Sequence, residues 1–106
     1  MLQNIKEICD FIRRGKMNYF KYKNNCRKIF EFYGKHEQKK QLIQECAELI
    51  TALTKNDTEN IIEEMADVQV MLDEFFVCCP EINAKMRKIQ NDKVNRQLNR
   101  IKATFS

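Results

Sequence analysis

The chain has 106 residues, 43% hydrophobic and 32% charged, with a formal net charge of +4 at pH 7, which suits one domain with a modest core whose elements need neighbours to cover their apolar faces. No apolar run approaches the ~20 residues of a membrane span, and the N-terminus MLQNIKEICD lacks a signal-peptide core, so a soluble, cytoplasmic protein with no membrane partner is expected. Five cysteines without a CxxC, one histidine, and Ser106 as the sole serine leave a Cys/His zinc site unsupported and rule out a Ser-His-Asp triad.

Only two glycines and one proline punctuate the chain, and Glu, Lys, Gln, Leu, Ile and Met recur at helical spacing, so the fold class is all-α, a helical bundle. Residues 1–33 predict two N-terminal helices. In the first, Ile5, Ile8, Cys9 and Ile12 share a face and Gly15 ends it. The second runs from Met17 to Tyr33, and its aromatic end offers Phe30 and Tyr33 as candidates to stack on a base, although core packing is the commoner use of such residues. Gly34 breaks the pattern. Residues 35–78 then read as an antiparallel helix hairpin, turning at Lys55-Asn56-Asp57-Thr58, where Asp57 or Thr58 caps the second arm. His36 reads as a surface residue, and Gln38 and Gln41 as groups facing a base or, more commonly, water. Pro80 stops the second arm, and a basic helix follows over residues 81–104, with Ile82, Met86, Ile89 and Val94 among its apolar positions and Lys93, Arg96 and Arg100 on one face.

The hairpin carries two acidic pairs, Glu45-x-x-Glu48 and Glu64-x-x-Asp67. Residues three apart on a helix lie roughly 60° apart, so each pair can reach one point. Counted outward from the turn, Glu48 and Glu64 are nearly equidistant, as are Glu45 and Asp67, so the hairpin brings all four to about one level. Leu42, Cys46, Leu49, Ile50 and Leu53 form the expected apolar arc of the first arm, with Glu45 at its edge and Glu48 just beyond, and Ile61, Met65, Val68, Leu72, Phe75 and Phe76 that of the second, to which Glu64 and Asp67 stand in the same relation. Clustered carboxylates repel and resist desolvation, and a hard divalent cation such as Mg²⁺ relieves both while keeping positions for water and phosphate. Charge is segregated accordingly: residues 1–43 carry +7, residues 44–83 carry −9 and residues 84–106 carry +6. An acidic centre between basic arms suits a metal site with a polyanionic substrate. The alternative is a non-catalytic helical binding or assembly module, with nucleic acid as its partner, whose acids are solvated surface charge.

Gln-Glu-Cys-Ala-Glu-Leu at 44–49, followed after a short turn by Glu-Glu-Met-Ala-Asp-Val at 63–68, resembles the ExxE and ExxD helices of the MazG-like, all-α nucleoside triphosphate pyrophosphohydrolases. The resemblance covers about Tyr33 to Ile101. It implies Glu45, Glu48, Glu64 and Asp67 as ligands of Mg²⁺, with Mn²⁺ as a substitute, and Lys93 and Arg96 as contacts to the substrate phosphates. Glu48 is the candidate to orient or deprotonate the attacking water. The expected activity converts an NTP or dNTP to the monophosphate and pyrophosphate, in a homodimer or homotetramer. Members often carry Glu where this chain has Gln44, which the helical projection points away from the Glu45/Glu48 face.

Overall fold

The computed structural model describes residues 18–105, and these form three helices and no strand. The helix expected from Met1 to Gly15 lies outside the described residues. Helix α1 spans Tyr19–Lys55, α2 Thr58–Cys78 and α3 Pro80–Thr104. Asn18 caps α1, its side-chain oxygen accepting from the Lys21 amide at 3.2 Å. At the far end Asn56 takes the left-handed conformation (φ 56°), and Asp57 at once caps α2 by accepting from the Asn60 amide at 3.3 Å. Asn and Asp suit these places because their short side chains tolerate that backbone region and satisfy free amides at a helix start. The reversal is therefore tight. Pro80 opens α3 as well as closing α2, because at the first helical position its missing N–H costs nothing.

Gly34 shapes α1. Its φ of 83° and ψ of 159° interrupt the helix in a region essentially reserved for glycine. In a straight helix Tyr22 and Gln38 would stand about 24 Å apart along the axis. Here both reach the same turn of α2. The Tyr22 hydroxyl donates to Asp73 Oδ2 at 2.7 Å, Gln38 Nε2 donates to Glu74 Oε1 at 3.1 Å, and Phe30 packs edge-on against Phe75 with ring centroids 5.2 Å apart. The bend folds the N-terminal half of α1 across the C-terminal half of α2.

The seam between the arms is rotated from the expected arc. On this arm of α1 the covered positions are Gln38, Leu42, Glu45, Leu49 and Ala52, at heptad spacing, with Cys46 beside them; Gln38 and Ala52 are buried. On α2 they include Ile61, Glu64, Val68, Met71, Phe75 and Cys78. Ile50, Leu53 and Met65, assigned to the seam by apolarity, are 63%, 46% and 52% exposed. The arc drawn from apolar residues alone is covered at Leu42, Cys46, Leu49, Ile61, Val68, Leu72, Phe75 and Phe76, but it left out Gln38, Glu45 and Glu64 and so was displaced from the seam's centre. Glu45 and Glu64, placed at the edge of the seam, lie inside it, while Glu48 and Asp67 are exposed.

Among the described residues helix α3 packs on α2 and makes no comparable packing against α1. Asn83 and Met86 are half-buried and Arg87 lies over the Phe76 ring, but from Arg87 to Phe105 every residue is exposed. The accessible surface of 9124 Å² compares with about 6,200 Å² for a compact monomer of 12.7 kDa. The radius of gyration, 17.7 Å, likewise exceeds the ~13 Å of a compact 100-residue chain. No helix among the described residues is long and apolar enough to cross a membrane.

Candidate metal centre

Glu45 and Glu64 occupy seam positions on facing helices, and Glu48, one turn on from Glu45, stands at the seam's edge. One carboxylate oxygen from each of the three lies within 4.8 Å of the others; Glu45 and Glu64 are half-buried and Glu48 is exposed. Together with burial, Glu48 acts on both of the others, raising the Glu45 and Glu64 carboxyls. Asp67 is exposed and stays outside this group of three, although its charge acts on both Glu45 and Glu64.

Electrostatically the group is unrelieved. Burial pushes the Glu45 carboxyl above its ordinary value; the Gln41 hydrogen bond pulls it down, and the charges of Glu48 and Asp67 add to the rise. Burial raises Glu64 as well, followed by the charges of Glu48, Asp67 and Glu45. Glu45 Oε2 and Glu64 Oε2 are buried with no hydrogen-bond donor among the described residues. Two orphaned carboxylate oxygens on residues that converge across a seam, in an all-carboxylate group of three, suit a hard divalent cation such as Mg²⁺. The donor set thus fits the metal that the sequence implies.

Glutamines support these acids. Gln41 Nε2 donates to Glu45 Oε1 at 2.7 Å and Gln44 Nε2 to Glu48 Oε1 at 3.3 Å, each one helical turn away. The placement of Gln44 away from the acids is corrected here: residues four apart differ by only about 40° on a helix, so its amide reaches Glu48. A cavity of about 290 Å³ lined by Gln44, Glu48, Thr51, Asn60 and Glu64 opens beside the carboxylates.

The remaining candidates are scattered. Lys93 and Arg96 lie on the exposed length of α3, which among the described residues does not pack on α1, so within these residues they are not brought to the acids. Phe30, a candidate for stacking on a base, is half-buried against Phe75 and lines none of the three described cavities, because the bend at Gly34 turns its face onto α2. Tyr33 does line a cavity, together with Gln38, Gln41, Met71 and Glu74. Sequence reasoning missed Glu74, which is only 2% exposed. Its helical position, about 40° from Cys78 and about 60° from Met71, was the available signal.

An acidic cluster held across a tight helix hairpin, with a third helix hinged off one end, defines an all-α class of fold. The chain belongs to the MazG nucleotide pyrophosphohydrolase domain family, whose model matches residues 34–100. The match begins at the glycine of the bend, so residues 18–33, which fold over α2, lie beyond it. No curated protein and no solved structure matches the chain.

Proposed function

We propose that the chain is a Mg²⁺-dependent nucleoside triphosphate pyrophosphohydrolase, releasing a nucleoside monophosphate and pyrophosphate from an NTP or dNTP. The observation that carries this reading is the convergence of Glu45, Glu48 and Glu64 within 4.8 Å, with two buried oxygens that have no donor among the described residues. Mg²⁺, or Mn²⁺ in its place, would be held by these three with Asp67 completing the set, and supplies positive charge to the phosphate oxygens and a more acidic bound water. Glu45 and Glu64 hold the seam positions and Gln41 fixes the rotamer of Glu45. Glu48, the exposed member beside open space, receives the proton of the attacking water. Release of pyrophosphate from an NTP and dNTP panel with Mg²⁺ tests the reading. A salt-sensitive shift of DNA without turnover of any triphosphate would favour the binding-module alternative.

The working protein is a homodimer or homotetramer. Val94, Leu98, Ile101 and Phe105 form one arc of α3 and are 50%, 50%, 55% and 84% exposed. Covering that arc with a second copy leaves the other side of the helix, with Lys93 and Arg96, free to meet substrate phosphates and to balance charge on the departing pyrophosphate. Light scattering should give at least twice the 12.7 kDa of the chain. Leu98→Asp, which sets a charge in the middle of the arc, should shift the protein to monomer and cut turnover with it.

A further inference from the structure

A second polar feature is buried in the α1–α2 seam, away from the carboxylate cluster. Gln38 and Glu74 are 3% and 2% exposed, and Gln38 Nε2 donates to Glu74 Oε1 at 3.1 Å. Only the NH₂ end of the amide can donate to a carboxylate, so this bond fixes which way Gln38 faces. Glu74 Oε2 is buried and has no partner among the described residues. Leaving an anionic oxygen dry and unpaired is costly, and a packed apolar residue would fill the same space without that cost. The pair lines a cavity of about 390 Å³ whose other walls include Ile29, Met71 and the half-open Tyr33 ring, a size within the ~300–1,000 Å³ of small-molecule clefts.

The cavity adjoins the acidic cluster. Gln41 lines it and also donates to Glu45 at 2.7 Å. Gln38 lies two helical turns from Glu45 on the same stripe, about 10 Å along the axis. A nucleoside whose phosphates lie at the carboxylates can therefore extend its base towards Gln38 and Glu74. The wall it meets includes Gln38, whose amide carries a second N–H besides the one on Glu74 Oε1, and Glu74, whose buried Oε2 is an unpartnered acceptor. That order, donor then acceptor, complements a ring nitrogen next to an exocyclic amino group. Cytosine and adenine present such an edge. Uracil and hypoxanthine place a carbonyl where the amino group would be, against the carboxylate.

We infer that Gln38 and Glu74 are the specificity-determining residues of this site and select amino-bearing bases, cytosine and adenine, over their oxo counterparts. The inference rests on the nucleotide-hydrolase reading for its substrate, while the pocket itself can be tested without turnover. With Mg²⁺, kcat/KM for CTP over UTP and for ATP over ITP should each favour the amino base by on the order of 10²-fold or more, because a site built to pair a hydrogen-bonding group rejects the analogue that leaves it unpaired. Calorimetry on the metal-free protein should show CMP and AMP binding more tightly than UMP and IMP. Glu74→Gln, whose amide can turn either oxygen or nitrogen to the base, should compress both ratios, and Gln38→Leu gives a second route to the same loss.

Wild-type protein that treats the members of each pair equally, or prefers the oxo base, overturns the inference whatever the variants do. If no triphosphate is hydrolysed, the hydrolase reading fails on its own, and the monophosphate titrations still decide the pocket. Tighter binding of CMP and AMP supports the inference; equal binding, or none, overturns it.

Discussion

Glu64→Gln is expected to lower kcat/KM for nucleoside triphosphates by at least about 10²-fold and to weaken Mg²⁺ binding in parallel. The magnitude follows from comparison: groups that merely hydrogen-bond a metal ligand already cost 10–100-fold when removed, and a direct ligand costs no less. The substitution keeps the shape of the side chain and removes only its charge. It also removes one like charge from a cluster in which burial and the charges of Glu48, Asp67 and Glu45 all act against the ionised form. The metal-free variant should therefore melt no lower than the wild type, and higher in low salt. Loss of activity without loss of stability separates a functional acid from a structural one. Steady-state kinetics, Mg²⁺ calorimetry and a thermal melt on the same sample check all three parts. A variant that keeps full activity, or that melts well below the parent, contradicts the assignment.

Gly34→Ala is expected to cost about 1–3 kcal/mol of stability, the penalty for forcing a side chain into a backbone region that only glycine occupies readily. For a domain of this size that corresponds to a fall in melting temperature of roughly 4–8 °C per kcal/mol. A Cβ at this position meets nothing within 4 Å, so the cost lies in the backbone and not in a clash. Gly34→Ser should accordingly cost nearly as much as Gly34→Ala. If the backbone relaxes towards a straight helix instead, Tyr22, Phe30 and Gln38 can no longer share one turn of α2, and the cavity at Glu74 opens. Base discrimination should then weaken together with stability.

Particular residues show how far the sequence could be read. The hairpin was legible because its punctuation is local: Asn56 and Asp57 satisfy helix ends by themselves, and the distance of each acid from that turn sets its level. Gly34 was legible as a break, but the angle of the bend is a property of three long-range contacts that no window of sequence contains. The seam was misplaced for an instructive reason. Polar residues were counted as surface, yet Gln38 donates to Glu74 across the interface, and Glu45 and Glu64 meet there. Apolar patterning locates a seam well only when its polar members are few. The basic face of α3 was equally readable from spacing, while its separation from the acids within one chain depends on a helix that packs only through its first turns.

The site also accounts for features that would be faults in a purely structural protein. Orphaned carboxylate oxygens at Glu45, Glu64 and Glu74 weaken the seam where they lie. All three border either the acidic cluster or the cavity that shares Gln41 with it. These unpaired oxygens run from the candidate metal centre to the proposed base pocket.

The most direct test of the central claim is hydrolysis of a nucleoside triphosphate in heavy-oxygen water with Mg²⁺ present, followed by phosphorus NMR. The account predicts pyrophosphate and nucleoside monophosphate in equal amounts, with the solvent oxygen on one of the two, and no reaction when Mg²⁺ is chelated. Formation of nucleoside diphosphate and orthophosphate, turnover that persists without a divalent cation, or no turnover of any triphosphate would contradict it.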